Sequence, residues 1–155
     1  KRPTFVGLLT GGVAGLATIT PAAGYVTMPT AFVIGIMGAV GCFYAVKLKD
    51  KMEWDDALDV WGVHGVGGII GSIALGLFAT KAINPAGADG LFSGNYEFFL
   101  KEIVAIIFAS AYAFIFTTLV LRGINFITRV RVTAEEEEHG LDMLYHGEQA
   151  RDLGE

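Results

Sequence analysis

Three tracts of this chain carry no charged side chain, and their lengths constrain the fold before anything else does. They run from Pro3 to Val46, from Val60 to Thr80 and from Ile103 to Leu121. A bilayer core takes ~20 consecutive apolar residues per helix. The first tract is long enough for two crossings and each of the others for one. The expectation is an all-α membrane protein with four transmembrane helices. Composition agrees, with 53% hydrophobic and 17% charged residues, against about 25% charged in an ordinary soluble domain.

The spans are placed at about 5–22, 28–46, 57–79 and 98–127. Together they make a membrane domain over 1–131, followed by a polar tail over 132–155. Pro21 should end or kink the first helix, because an interior proline loses a helix hydrogen bond. Lys47-Leu48-Lys49-Asp50-Lys51 reads as a short polar connection. Residues 84–95, with Pro85, Gly87, Gly90 and Gly94, read as a loop. The last span is longer than a bilayer needs, so it should tilt or project. The start, Lys1-Arg2-Pro3, lacks a methionine and runs on through several apolar spans. That favours a piece of a longer chain over a signal peptide.

Four crossings place both ends on one side. That side holds Lys1, Arg2, Lys47, Lys49, Lys51, Arg129 and Arg131, against only Lys81 and Lys101 opposite. Short loops rich in Lys and Arg stay cytoplasmic, so both ends are expected in the cytoplasm. The net charge of −5 comes largely from the end of the chain, around Glu135-Glu136-Glu137-Glu138. That run is a solvated face, not a partner signal. Nothing points to nucleic acid. Cys42 is the only cysteine, which leaves no disulfide framework or metal cluster.

Glycine recurs with a period: Gly7, Gly11 and Gly15, then Gly35 and Gly38, then Gly67 and Gly71. Small residues at this spacing let helix backbones approach closely in lipid. The first and third spans, being richest in glycine, should share the most crowded interface.

Asp55, Asp56 and Asp59 precede or open the third helix, where carboxylates satisfy free N–H groups and complement the helix dipole. Asp59, nearest the membrane core, is expected to make a specific buried contact. His64 follows, and it is the one histidine inside a span; His139 and His146 lie in the tail. By i, i+4, i+7 spacing Val60, His64, Gly67, Gly68 and Gly71 should share one face. Ionisable residues in membrane spans are costly and usually face a bundle interior or pathway. A neutral imidazole has one donor and one acceptor nitrogen, so it can orient or pass a proton. Alternatively it braces two helices through a backbone carbonyl. No second histidine, nucleophile–base pair or phosphate loop accompanies it in the spans. An enzyme is therefore not expected, and no cofactor is called for. Ser72 and Ser110 are isolated and should bond their own backbone.

The block "DDALDVWGVHGVGGIIG" resembles the tenth membrane helix of the ammonium transporter family (Amt/Mep/Rh). "GGVAGLATITPAAGYV" is similar to that family's eighth helix and following turn, and "HGLDMLYHGEQA" to its cytoplasmic C-terminus. The resemblance covers essentially the whole chain. It implies helices eight to eleven of an eleven-helix inverted-repeat bundle, plus the tail. It further implies that His64 is the second of two pore histidines, that Val60 and Val13 line the pore wall, and that Thr10 and Thr20 are hydroxyl positions along it. Asp59, Gly67 and Gly68 would be structural near the pore. Gly140, Asp142, His146 and Gly147 would belong to a regulatory tail. The first pore histidine, the aromatic gate and the outer recruitment site belong to earlier helices.

What the resemblance implies functionally is conduction of ammonium or ammonia through a narrow apolar pore in a homotrimer in the cell membrane, serving nitrogen metabolism. A PII-type signal protein would act at the tail. An ammonium sensor on the same scaffold, signalling through its tail, is the alternative. One position departs: after Gly147-Glu148-Gln149-Ala150 the family usually has tyrosine, and this chain has Arg151.

Overall fold

The computed structural model describes residues 4–147, and every regular element among them is helical. Four helices are long and apolar enough to cross a membrane. Arg151 lies outside the described residues.

Helix α1 (Phe5–Ile19) starts at Thr4, whose hydroxyl accepts from the Gly7 N–H at 3.0 Å. It tightens into a single 3-10 turn, Thr20–Ala22, and ends there. Pro21 lies in that turn, as its missing donor requires. A tight turn follows through Gly24, at φ +82°, a backbone region that glycine enters without steric cost.

Helix α2 (Met28–Lys51) starts at Thr27, with Pro29 in its first turn. It runs on through Lys47–Lys51, so the expected polar connection is helical. The reason is local: the segment holds no glycine or proline, and Lys49 and Lys51 complement the negative end of the dipole.

Helix α3 begins later than expected. Asp59 has φ +55°, which no helix includes. The helical run therefore starts at Trp61, with one π turn over Trp61–Gly65 and then α3 proper, Val66–Phe78. The loop after it is tied back, the Thr80 N–H donating to Tyr25 O at 2.9 Å and the Gly90 N–H to Ala79 O at 2.7 Å.

Helix α4 (Tyr96–Ile127) has 32 residues and none is buried. That is ~48 Å of helix, well beyond the ~30 Å hydrocarbon core.

By contacts the chain divides into two compact units, Lys1–Ala109 and Ser110–Glu155. In the first, α1, α2 and α3 pack on one another through small residues. Thr18 is the shared point, fully buried, its hydroxyl donating to Ala14 O at 2.8 Å. A Cβ placed on Gly38 would strike the Thr18 side chain, and one on Gly71 would strike the Thr18 carbonyl oxygen. One on Gly67 would lie 3.0 Å from the Thr18 hydroxyl and 3.3 Å from Cys42 Sγ. α1 and α3 therefore do meet at a crowded interface. The crowding glycines are on α2 and α3, since nothing lies within 4 Å of a Cβ on Gly11. Two small apolar clusters flank Thr18: Ala22, Val26, Ile34 and Ala74 on one side, and Ala14, Cys42 and Val63 on the other.

In the second unit the acidic run Glu135–Glu138 lies wholly within a short helix, α5 (Ala134–His139). The Thr133 N–H and hydroxyl donate to the Glu136 carboxylate at 2.6 and 2.9 Å, and the Glu136 N–H donates back to the Thr133 hydroxyl. This is a capping box, which satisfies otherwise free helix N–H groups. The Tyr145 hydroxyl donates to the same carboxylate at 3.1 Å, tying in the π turn Asp142–His146. Gly140 and Gly147 bound that turn at φ +85° and +65°.

The Thr133 donors, then Tyr145, hold the Glu136 carboxyl below the usual glutamate range. Its contribution to the tail is therefore fully present above the ordinary glutamate pKa of ~4.3 and is lost as pH falls through the lowered value. Hydrogen exchange should show the amides of α5 equally protected at neutral and mildly acidic pH, with protection lost only below about pH 4. Loss at pH 6 would mean that another group holds the turn.

Candidate functional site

The site is built at the start of α3. Asp56 sets the helix entry, its two carboxylate oxygens accepting from the Val60 N–H at 3.0 Å and the Trp61 N–H at 2.8 Å. This is the capping role expected of an aspartate in that cluster. Asp59 does something else. Its carboxylate meets Lys49 Nζ at 2.6 Å, and that ammonium also donates to Asp56 O at 2.9 Å and lies 3.1 Å from Asp50. Lys49 is 8% exposed although it is a lysine. Three acceptors around one buried ammonium satisfy its donors, as burial of a charge requires. The pair fastens the end of α2 to the loop that delivers α3.

The face expected from spacing is split. Gly67 and Gly71 are buried against Thr18, whereas Val60 and His64 are exposed and a Cβ on Gly68 would meet open space. The cause is the π turn: the Val66 N–H reaches Trp61 O, an i to i+5 bond. Such a turn holds more residues than an α turn, so a count by 3.6 does not carry across it. Spacing merged two faces that the fold separates, a packing face with Gly67 and Gly71 and an open one with Val60, His64 and Gly68.

His64 has no hydrogen-bond partner among the described residues. Val13 on α1 is half-exposed, as is Val60. The Thr10 and Thr20 hydroxyls donate to the carbonyls one turn back, Val6 O at 2.9 Å and Leu16 O at 2.8 Å. Each keeps lone pairs to offer. A groove of about 670 Å³ opens between the N-terminal half of α1 and the C-terminal half of α2, with Val63 at its floor. It brings together Thr10 and Asp59, but not His64, Val60, Val13 or Thr20. The imidazole and this groove are thus separate features. Among the described residues no group of histidine, cysteine and acidic side chains could hold a metal ion. In the tail, Gly140, Asp142, His146 and Gly147 all fall on the π turn or its borders.

Sequence reasoning missed Thr18 and Lys49. Thr18 looked like one of several threonines in α1. Lys49 was placed in a solvated connection. Four aspartates within the next ten residues, Asp50, Asp55, Asp56 and Asp59, were the signal that a lysine there could be paired.

A profile of the Ammonium Transporter Family matches residues 1–151. The chain belongs to that family. It is 48% identical to an ammonium transporter of Bacillus subtilis over 151 residues, covering 97% of this chain and 37% of the relative. It is 38% identical to the ammonium transporter Amt1 of Archaeoglobus fulgidus, covering 96% of this chain and 38% of the relative. The crystal structure of Mep2 from Saccharomyces cerevisiae superposes with a TM-score of 0.80 at 38% identity, over 86% of this chain and 31% of that one. Mep2 from Candida albicans gives 0.79 at 35% identity, over 87% and 31%. This Ammonium Transporter Family chain therefore spans a little over a third of the length of the curated relatives it matches. Its fold matches part of the Mep2 structure, and its four apolar helices make it a multi-pass membrane protein. The family consists of transporters rather than enzymes.

Proposed function

We propose that this chain supplies part of the wall of a narrow apolar pore that conducts ammonium or ammonia, with His64 as one of its polar contacts. The observation that carries the reading is the unpartnered imidazole of His64, held on an open apolar face with Val60. The names of the relatives, ammonium transporters, supply the substrate. An ammonium ion is too well hydrated to enter an apolar path cheaply. Loss of a proton at the mouth leaves neutral ammonia, which can pass. The imidazole then offers one acceptor and one donor to a molecule in transit. Potassium cannot be deprotonated and is excluded. Val13, Thr10 and Thr20 take wall positions, while Asp59, Gly67 and Gly68 act structurally beside them.

In this reading 1–131 is the membrane domain and 132–155 a cytoplasmic tail, with both ends of the chain on the cytoplasmic side of the cell membrane. The remaining helices of the full-length transporter close the pore and bring the first pore histidine. Three copies assemble, each with its own pore, and the tail segment with Gly140, Asp142, His146 and Gly147 receives a PII-type signal protein.

Flux in proteoliposomes carrying the full-length protein tests this. An ammonium gradient should drive uptake, and an equal potassium gradient should drive none. Absence of ammonium flux in a folded protein whose tail still binds its partner would favour the sensor over the transporter.

A further inference from the structure

We propose that the Lys49–Asp59 ion pair is a positioning device for His64, a role that rests on His64 lining the pathway. The π turn that carries the imidazole is joined to one face of α2. The Asp59 carboxylate meets Lys49 Nζ at 2.6 Å. A Cβ on Gly62 would fall 2.7 Å from Val46 Cγ2 and 3.2 Å from the Val46 backbone nitrogen, so the turn lies directly on the α2 backbone there. Cys42 Sγ donates to Val63 O at 3.6 Å. Cys42, Val46 and Lys49 stand at i, i+4 and i+7, one stripe of α2. Gly62 and Val63 are buried, whereas Val60 and His64 are exposed. What holds the inner face of the turn on α2 therefore also decides where the imidazole on its outer face is carried.

Of these contacts the ion pair alone fixes how the chain enters the turn. Asp59 stands at φ +55°, a region that costs any residue with a Cβ. A residue stays there only where its surroundings over-determine it. Here they do. The Asp59 N–H donates to Asp56 O at 3.3 Å, and the Val63 N–H donates to Asp59 O at 2.8 Å. Lys49 holds the Asp59 carboxylate and Asp56 O together. Asp56 in turn accepts from the Val60 and Trp61 N–H groups. One buried ammonium thus ties down both aspartates that set the first residues of the turn. A slip of one residue rotates a helical face by ~100°, enough to carry His64 off the open side. Removing the lysine leaves its carboxylate partner uncompensated and frees that entry.

The full-length protein in proteoliposomes should be compared with Lys49→Met, Lys49→Arg, Asp59→Gly, His64→Ala and the double variant Lys49→Met/His64→Ala. Ammonium uptake is one readout. The other is the ring-nitrogen NMR signal of His64, assigned by its loss in His64→Ala. Lys49→Met and Asp59→Gly should each lower uptake about tenfold and shift the His64 signal. Glycine accepts the positive φ without steric cost, so Asp59→Gly removes the tether and adds no strain. Lys49→Arg, whose fork also matches a carboxylate, should keep most of the uptake. Lys49→Met should cost nothing further once His64 is alanine, a result that a merely structural role does not give. An unshifted His64 signal in Lys49→Met would overturn the proposal. So would wild-type uptake in both Lys49→Met and Asp59→Gly, or the same loss when Lys49→Met is added to His64→Ala. Wild-type uptake by His64→Ala, with the signal still shifted in Lys49→Met, would sink the pathway reading and support the placement of the ring by the pair.

Discussion

Replacing His64 by alanine is expected to cut ammonium conduction by about ten- to a hundredfold without unfolding the protein. The magnitude follows from one lost polar contact in an apolar passage. A polar molecule left without its hydrogen bond pays about 1–3 kcal/mol, and each ~1.4 kcal/mol is tenfold. The packing of α1, α2 and α3 should stay intact, because the buried contacts of α3 with Thr18 are made by Gly67 and Gly71 and not by His64. His64→Gln divides the role further. An amide can donate and accept but does not carry a proton at neutral pH. If the ring only orients ammonia, the glutamine variant should retain most of the flux. If it also relays a proton, glutamine should behave like alanine. The measurement is initial uptake in proteoliposomes at matched protein density. Full flux and unchanged selectivity in His64→Ala would remove the histidine from the pathway.

Gly71→Leu is expected to be the most damaging single change in the packing of the three-helix unit. A Cβ at this position falls on the Thr18 carbonyl oxygen, with Pro21 Cδ and the Thr18 carbonyl carbon each at 3.0 Å. The obstruction is backbone, so no side-chain rotation relieves it. α1 must move off α3, and the shared Thr18 contacts with Gly38 and Gly67 go with it. Overpacking of a tight interface costs about 1–3 kcal/mol when side chains can adjust, so about 3 kcal/mol is the floor here. Thermal unfolding of the solubilised full-length protein should show a large drop in midpoint, together with loss of assembly. Gly68→Leu is the matched control. It adds the same side chain one turn from His64 where nothing lies within 4 Å. It should spare the packing of α1, α2 and α3 that Gly71→Leu disrupts. Equal stability of wild type and Gly71→Leu would show that α1 and α3 do not meet as described.

Much of the architecture was legible in the sequence. The four spans follow from charge-free length, and the turn at Pro21 from a missing donor. His64 stands out because an ionisable ring in an apolar helix has few structural uses. Legibility failed where a contact joins distant positions. Lys47–Lys51 looks like a solvated linker by charge, yet it continues α2, because helix propensity and a buried partner outweigh the count of charges. The glycine period pointed to close packing in general but not to which glycines pack. Gly11 faces nothing, and Gly71 meets a carbonyl.

By itself the sequence determined the solvent this protein lives in and the number and approximate limits of its membrane spans, and it offered the residue types for the proposed passage. These depend on transfer free energy and backbone hydrogen bonding along one segment at a time. Only the tertiary structure decided that Lys49 closes on Asp59, that Thr18 is the common point of three helices, and that His64 and Gly67 part company across a π turn. Each of these depends on where two segments lie relative to one another or on a one-residue change of helical register. Periodicity along a single helix contains neither.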